Sequence, residues 1–109
     1  MEKKVFSAVQ FGAAGDGETL NTKEIQSAID VCHENGGGTV YFPPGQYVSA
    51  GLTLKSNVTL ELEAGASLLP KAVPGENVFL QGERIENVAI KGRGAIDGRL
   101  IPGRGVFTV

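Results

Sequence analysis

Two acidic side chains in alternation are the first residues of this sequence whose spacing could support chemistry. Glu61 and Glu63 flank Leu62, and in a β-strand this spacing directs both carboxylates to the same face. Two carboxylates on one face can share the roles of general acid and general base. No His, Arg or second carboxylate pair is evident on neighbouring repeats, so a solvated outer face is the simpler interpretation.

Basic residues gather at the C-terminal end of an otherwise acidic chain. Residues 1–83 carry five Lys/Arg and ten Asp/Glu, whereas residues 84–109 carry five Lys/Arg and two Asp/Glu. Scattered surface charge is one explanation of this asymmetry. The other is a patch that holds an acidic sugar polymer or the acidic end of another copy. The candidate substrate-binding residues on that reading are Lys91, Arg93, Arg99 and Arg104.

The remaining reactive side chains favour structural roles. Asp16 and Asp97 sit beside glycines, as turn-forming aspartates do. His33 lies at the predicted end of a helix, where it would stabilise the helix dipole. Cys32, the single cysteine, lies on an apolar stripe, so we predict a buried and unreactive thiol. We predict no metal site and no bound cofactor.

Length and composition limit the class of protein. A chain of 109 residues supports one domain, which we expect to cover residues 1–109. A net charge of −2 gives no general case for binding nucleic acid or an anionic membrane. No run approaches transmembrane length, and the first residues lack the apolar segment of a signal peptide. We expect a soluble protein, either cytoplasmic or exported with its signal removed.

One helix is predicted near the start of the chain, over residues 22–34. Asn21 is a favourable N-cap residue, and Glu24 stands three residues later in capping-box position. Four apolar residues recur at helical spacing on one face, and Asn35-Gly36 is a typical helix end. The residues of that face are Ile25, Ala28, Ile29 and Cys32.

Short strands are predicted on both sides of this helix. A short strand over residues 5–11 and a tight glycine-rich loop over 12–17 precede it, and period-two alternation begins at Gly36. The unit Asn57-Val58-Thr59-Leu60 is echoed by Asn87-Val88-Ala89-Ile90, and such repetition indicates a solenoid. Stacked asparagines would bond between turns.

These elements predict a short right-handed parallel β-helix of about three turns with an N-terminal capping helix. Residues 1–35 would form the strand, loop and capping helix, and residues 36–109 the turns. A β-sandwich would also give short strands, but it would not readily explain the helix or the repeated asparagine units. No comparable cover is evident at the C-terminal end, where residues 106–109 are apolar and prone to form a strand.

Several longer motifs point to a family. They are Phe-Gly-Ala-Ala-Gly-Asp-Gly at 11–17, the helix at 22–32, Gly-Gly-Gly-Thr-Val-Tyr-Phe-Pro-Pro-Gly-Gln-Tyr at 36–47, Leu-Lys-Ser-Asn-Val-Thr-Leu-Glu-Leu-Glu-Ala-Gly-Ala at 54–66 and Gly-Arg-Gly-Ala-Ile-Asp-Gly at 92–98. Together they resemble the N-terminal part of glycoside hydrolase family 28, the polygalacturonases. They are more distantly similar to pectate-lyase-like β-helices, including phage tailspikes.

The resemblance implies inverting hydrolysis of an acidic polysaccharide. One carboxylic acid protonates the leaving oxygen, and one or two carboxylates, placed roughly 6.5–9.5 Å from that acid, activate a water. The family carries these groups in an Asn-Thr-Asp segment and an Asp-Asp pair, completed by Gly-His-Gly and Arg-Ile-Lys. None occurs here: the nearest strings are Asn21-Thr22-Lys23 and Arg84-Ile85-Glu86. We therefore assign no catalytic residue.

The expected function follows at two levels. The resemblance implies a pectin-degrading lineage, while the residues present predict that this chain alone is inactive. Two alternatives stay open: a solenoid module that self-associates through an uncapped C-terminal turn, and a non-catalytic binder of acidic polysaccharide.

Overall fold

The computed structural model describes residues 4–71, 80–81 and 86–96. One α-helix, one short 3₁₀ helix over Ala8–Phe11 and ten short strands make up this part of the chain. The elements in chain order are β1 (Val5–Ser7), β2 (Asp16–Leu20), α1 (Thr22–Glu34), β3 (Gly38–Phe42), β4 (Gly45–Ser49), β5 (Leu52–Thr53), β6 (Val58–Leu62), β7 (Ala66–Pro70), β8 (Leu80–Gln81), β9 (Ala89–Gly92) and β10 (Ala95–Ile96).

The strands form three sheets in which each pairing is parallel. The first sheet has the order β1-β3-β6-β9, the second β2-β4-β7-β10, and the third β5-β8. Successive passes of the chain therefore add one strand to each sheet in turn. This order is typical of a parallel β-helix, in which each turn lies on the previous one.

Turn length differs along the stack while strand pairing persists. In the first sheet Gly38 pairs with Val58, so one turn separates those residues. The next turn runs from Thr59 to Ala89 and is longer. Most of the additional residues enter between β7 and β8, because the pairing partner of Ser49 is Pro70 whereas that of Leu52 is Leu80.

Helix α1 covers Thr22–Glu34, and the predicted bounds are confirmed. The four apolar residues of its predicted face are fully buried in the same core as the strands. The structure also contains the predicted N-terminal helix packed against the apolar interior. Burial of the two isoleucines of this face, Ile25 and Ile29, contributes roughly 1.5–3 kcal/mol each.

The capping box predicted from Asn21 and Glu24 is wrong. Asn21 is the residue before the helix, but its side chain makes no capping bond to the helix. Its amide instead accepts a hydrogen bond from the Ala14 amide (2.9 Å) and donates one to the Ala14 carbonyl (2.8 Å). The side chain is fully buried, so satisfying the backbone of the preceding loop outweighs capping.

The opening strand predicted over residues 5–11 is too long, and the end of the loop predicted over residues 12–17 belongs to a strand. Only Val5–Ser7 pairs with β3, and Val9 and Phe11 belong to the 3₁₀ helix. The Phe6 and Phe11 rings remain in contact, with centroids 6.4 Å apart. Strand β2 begins inside the predicted glycine-rich loop, at Asp16, and pairs with β4.

The core is built from inward rows that run across the sheets, one residue from each turn. In the first sheet, Phe6, Val40, Leu60 and Ile90 share one row; Val40 and Leu60 are fully buried. The predicted alternation of Val58, Leu60 and Leu62 inward is confirmed.

The predicted asparagine stack is present. The Asn87 side-chain amide donates to Asn57 Oδ1 at 3.1 Å, across 30 residues of sequence. Both asparagines have positive φ, 68° at Asn57 and 56° at Asn87, a conformation that asparagine tolerates better than most residues. Each therefore makes the bend before a strand and links two turns.

Glycine is required at the end of β9, the fourth strand of the first sheet. Gly92 has φ 113°, and a Cβ there would meet the backbone of Leu62 in the turn below. The close approach of two backbones excludes a side chain at this position.

Several predictions fall outside the described residues. They concern Asp97, the apolar residues 106–109 and association through a C-terminal turn, which stays a prediction. In the part of the chain that the structure describes, no helix has both the length and the apolar character needed to cross a bilayer.

Candidate functional site

A row of polar side chains crosses the outer face of the first sheet. The strand register aligns Ser7, Tyr41, Glu61 and Lys91. Their inward neighbours pack in the core, so strand alternation directs these four residues to the outer face. The fold thus brings one polar residue from each of four turns into line.

Tyr41 and Glu63 are joined by a hydrogen bond between their side chains on this face. The Tyr41 hydroxyl donates to Glu63 Oε2 at 3.0 Å. This hydrogen bond is the main cause that raises the pKa of Tyr41, and the charges of Glu63 and Glu61 act in the same direction. Glu61 and Glu63 therefore share one outer face, as predicted, with a phenol beside them.

Lys91 and Arg93 lie on the turn next to Glu61 and Glu63 and are exposed, so the expectation that no Arg lies on a neighbouring repeat is wrong. The backbone N–H groups of Arg93 and Gly94 both donate to the Leu62 carbonyl at 3.0 Å, which holds the end of β9 over the end of β6. Lys91 stands opposite Glu61 in the register. The negative charge of Glu61 therefore offsets part of the positive charge of Lys91 and Arg93.

The predicted substrate-binding set is only partly described. Lys91 and Arg93 are on the same turn, close in sequence and exposed, whereas Arg99 and Arg104 lie outside the described residues. Tyr41 was not predicted from the sequence as a member of the row. Its position between inward-facing Val40 and Phe42 was a signal that could have identified it.

Tyr41, Glu61 and Lys91 of this row, together with the adjacent Glu63 and Arg93, offer donors, acceptors and both signs of charge, and we call these five residues the outer polar row. Such groups can bind the hydroxyls and carboxylates of a sugar chain. Exposed ionic groups contribute little each, about 0–1 kcal/mol, so useful binding would require several contacts along a polymer.

Asp16 has the turn-forming role predicted for it. Its Oδ1 accepts from the backbone N–H groups of Glu18 (2.9 Å) and Thr19 (2.7 Å), and its Oδ2 accepts from the Thr19 hydroxyl (2.6 Å). These bonds, led by the Thr19 hydroxyl, lower the pKa of Asp16 to about 2. The Asp16 carboxylate therefore stabilises the backbone conformation of β2.

Cys32 and His33 also have structural surroundings. Cys32 is fully buried, as predicted, and burial raises the pKa of its thiol. His33 Nδ1 lies 2.9 Å from the Ser56 carbonyl oxygen, which requires the proton on that nitrogen. Within the described ranges, His, Cys, Asp and Glu form no group of three or more that could hold a metal ion.

Comparison with protein families places these features in a known group. Residues 5–93 match the family described as rhamnogalacturonase A/epimerase, pectate lyase-like. The match includes α1 and all of the outer polar row.

The individual relatives carry different enzyme names. Alginate lyase 7 of Azotobacter vinelandii is 42% identical over 85 residues, which cover 71% of this chain and 10% of that protein. Exo-poly-alpha-D-galacturonosidase of Dickeya chrysanthemi is 48% identical over 66 residues, 61% of this chain and 11% of that protein. The chain thus spans about a tenth of the length of these curated relatives.

A solved structure has a similar fold. The family 28 exopolygalacturonase of Yersinia enterocolitica superposes with a TM-score of 0.78 at 35% identity, covering 89% of this chain and 21% of that one. The predicted resemblance to the polygalacturonases is confirmed.

Proposed function

The chain belongs to the rhamnogalacturonase A/epimerase, pectate lyase-like family, and from this premise we propose that it forms the first turns of a right-handed parallel β-helix enzyme that degrades pectin. The observation that carries the proposal is the match of residues 5–93. The galacturonosidase and exopolygalacturonase similarities favour polygalacturonate as the substrate. The alginate lyase similarity makes alginate the second substrate to test.

The role of these turns is to start the stack and to carry part of its outer face. Their three-sheet order supports a closed solenoid of about three turns. The fully buried face of α1 supports the capping role, because the first turn would otherwise leave its apolar interior in water.

The chain alone is proposed to be inactive. The sequence contains no adjacent aspartates and no Gly-His-Gly, and the Glu61–Glu63 pair lacks a nearby described histidine. Inverting hydrolysis needs both an acid and a base placed around a water.

An activity assay tests this proposal. The purified 109-residue chain is incubated with polygalacturonate and with alginate, and reducing ends and unsaturated uronates are measured. We expect both signals to equal those of buffer. Release of product that falls on Glu61→Gln or Glu63→Gln, but not on the matched control Glu18→Gln, would contradict it.

The coding sequence around this segment tests the family role itself. We expect a reading frame that continues into further turns with an adjacent aspartate pair and a Gly-His-Gly. A frame that supplies neither would count against a hydrolase and leave the binding or structural alternatives.

A second candidate is polysaccharide binding without cleavage, favoured by the exposed Lys91 and Arg93 on one turn. Calorimetry with oligogalacturonate at low salt should give binding heat that Lys91→Ala and Arg93→Ala reduce. Lys23→Ala, an exposed position on α1, is the control. No heat from the unaltered chain removes this candidate.

A further inference from the structure

The Tyr41 ring leans across two turns on the outer face of the first sheet. Tyr41 stands opposite Glu61 in the register, but its hydroxyl donates to Glu63, the residue after β6, at 3.0 Å. Neighbouring strands lie about 4.8 Å apart and two residues along a strand span about 6.6 Å, so these two side chains meet only if they lie along the sheet surface. The half-buried ring therefore presents a face, and not only an edge, on the outside of the stack.

The partner of the ring is itself held by the backbone. Glu63 Oε1 accepts a hydrogen bond from the Ala64 N–H at 3.3 Å, while its Oε2 accepts from the Tyr41 hydroxyl. The turn after β6 thus orients the carboxylate, and the carboxylate orients the phenol. A side chain that is ordered before binding loses little rotamer freedom when a ligand contacts it.

The outward neighbours of the ring on two sides are short. Ser7 lies opposite Tyr41 on β1, and Thr59 lies on β6 at the diagonal position away from Glu63. Neither side chain is long enough to cover a tyrosine ring. The C–H groups on one face of a sugar ring form a flat apolar surface, and an accessible aromatic face is the matching contact for it.

The charges around the ring favour a neutral sugar at this position. Glu61 is the register partner of Tyr41 and Glu63 is its hydrogen-bond partner, whereas Lys91 is one turn further away. A uronate stacked on Tyr41 would bring its carboxylate close to two glutamates, and like charges in contact disfavour binding. A neutral ring would instead donate its hydroxyl hydrogens to these carboxylates, and such charge-assisted bonds are stronger than neutral ones.

We propose that Tyr41 is a platform on which one neutral sugar ring stacks, with Glu61 and Glu63 accepting hydrogen bonds from its hydroxyls. The inference rests on the proposed binding of polysaccharide by the outer polar row and names the ligand of its acidic half. It differs from the contact proposed for Lys91 and Arg93, because the ligand at Tyr41 needs no carboxylate. A polymer that contains both neutral and acidic sugars would contact both halves of the row.

Nuclear magnetic resonance titration of the nitrogen-15-labelled chain separates the two halves. The ligands are a neutral galactose tetrasaccharide and tetragalacturonate, each at low and at high salt. We expect the neutral ligand to shift the backbone amide signals of Tyr41, Glu61 and Glu63 to the same extent at both salt concentrations, because no ion pair forms. The signals of Gln46 and Ser67, which are paired in the second sheet, should not move.

Substitutions of the ring test the stacking itself. Tyr41→Ala should raise the dissociation constant for the neutral tetrasaccharide about tenfold. Tyr41→Phe keeps the ring and loses only the bond to Glu63, so it should stay within about threefold of the unaltered chain. Gln46→Ala, at an exposed position of the second sheet, is the matched control. If circular dichroism shows that Tyr41→Ala is unfolded, Tyr41→Leu replaces it, since leucine keeps apolar volume and lacks a planar ring.

The outcomes distinguish this inference from the proposed function. Equal weakening in Tyr41→Ala and Tyr41→Phe would overturn the stacking, and so would shifts by the neutral ligand that map to Gln46 and Ser67. Binding of tetragalacturonate without any binding of the neutral tetrasaccharide removes the Tyr41 site alone and leaves the contact with Lys91 and Arg93. Binding of neither ligand removes both.

Discussion

The stacked turns from β3 onward and the N-terminal unit (residues 4–35) hold the backbone by partly different means. Strands β1 and β2 of the N-terminal unit pair with β3 and β4, but its loop and helix also bind the backbone through side chains. Strands β3 and β6 pair backbone to backbone over five successive residues. In the N-terminal unit, the side chains of Asn21 and Gln26 pair with single backbone residues, Ala14 and Thr53. The turns can therefore repeat with many sequences, whereas the N-terminal unit depends on particular side chains.

The largest expected effect tests whether the two regions unfold together. Ile29→Ala in α1 and Leu60→Ala in β6 each remove a fully buried side chain, and each should lower the free energy of unfolding by about 2–5 kcal/mol. Urea unfolding is followed by far-ultraviolet circular dichroism and by tyrosine fluorescence, since Tyr47 is buried in the turns.

Coincident transitions in both variants would support a single cooperative unit. If Ile29→Ala lost helix signal while tyrosine fluorescence kept the midpoint of the unaltered chain, the N-terminal unit would be a separate unit.

A smaller effect tests the dependence on particular side chains. Asn21→Ala leaves the N–H and C=O of Ala14 without their partner, and we expect a loss of about 1–3 kcal/mol in urea unfolding. Asn21→Asp keeps the acceptor for the Ala14 N–H but buries a carboxylate against the Ala14 carbonyl, so at neutral pH it should lose at least as much. A loss below about 0.5 kcal/mol for Asn21→Ala would show that the paired amide contributes little to stability.

The asparagine stack is the corresponding test within the turns. Asn57→Ala and Asn87→Ala each lose the shared bond and place alanine at positive φ, so each should cost about 1–2 kcal/mol. A double-mutant cycle isolates the bond itself, with an expected coupling of about 0.5–1.5 kcal/mol. A coupling near zero would reduce both residues to their backbone role.

The smallest effect is a pH dependence from Asp16. Its pKa is lowered to about 2 in the folded chain from 3.8, so its contribution is present above about pH 4 and is lost as pH falls toward 2. Asp16→Asn should flatten this part of the stability profile, measured by urea unfolding at several pH values. Glu18→Gln is the control. An unchanged slope in Asp16→Asn would assign the acid sensitivity to other carboxylates.

The repeating part of the molecule could be predicted, because its causes are local. Alternation of Val58, Leu60 and Leu62 already defines the inner face, and the four apolar residues of α1 define its buried stripe. The echo of Asn57 at Asn87 predicted contact between turns, since like units stack.

The N-terminal unit and the candidate site could not be predicted as fully. Asn21 is a favourable N-cap residue by local rules, yet its side chain bonds to the backbone N–H and carbonyl of Ala14, seven residues earlier. From the sequence, Gln26 would be expected to be an exposed helix residue. Its bonds to Thr53 depend on the packing of α1 against β5. Lys91 and Glu61 become neighbours only through strand register, which the sequence alone does not specify.

The unequal turns have a consequence for how such a chain changes over time. Strand pairing aligns the stack, whereas the connections between strands can differ in length. Gly38 pairs with Val58 and Thr59 pairs with Ala89, although the two pairs are separated by different numbers of residues. Insertions between β7 and β8 can therefore accumulate without shifting any residue between the inner and outer faces. This junction is where we expect relatives to differ in length, and where a foreign peptide could be spliced in for display.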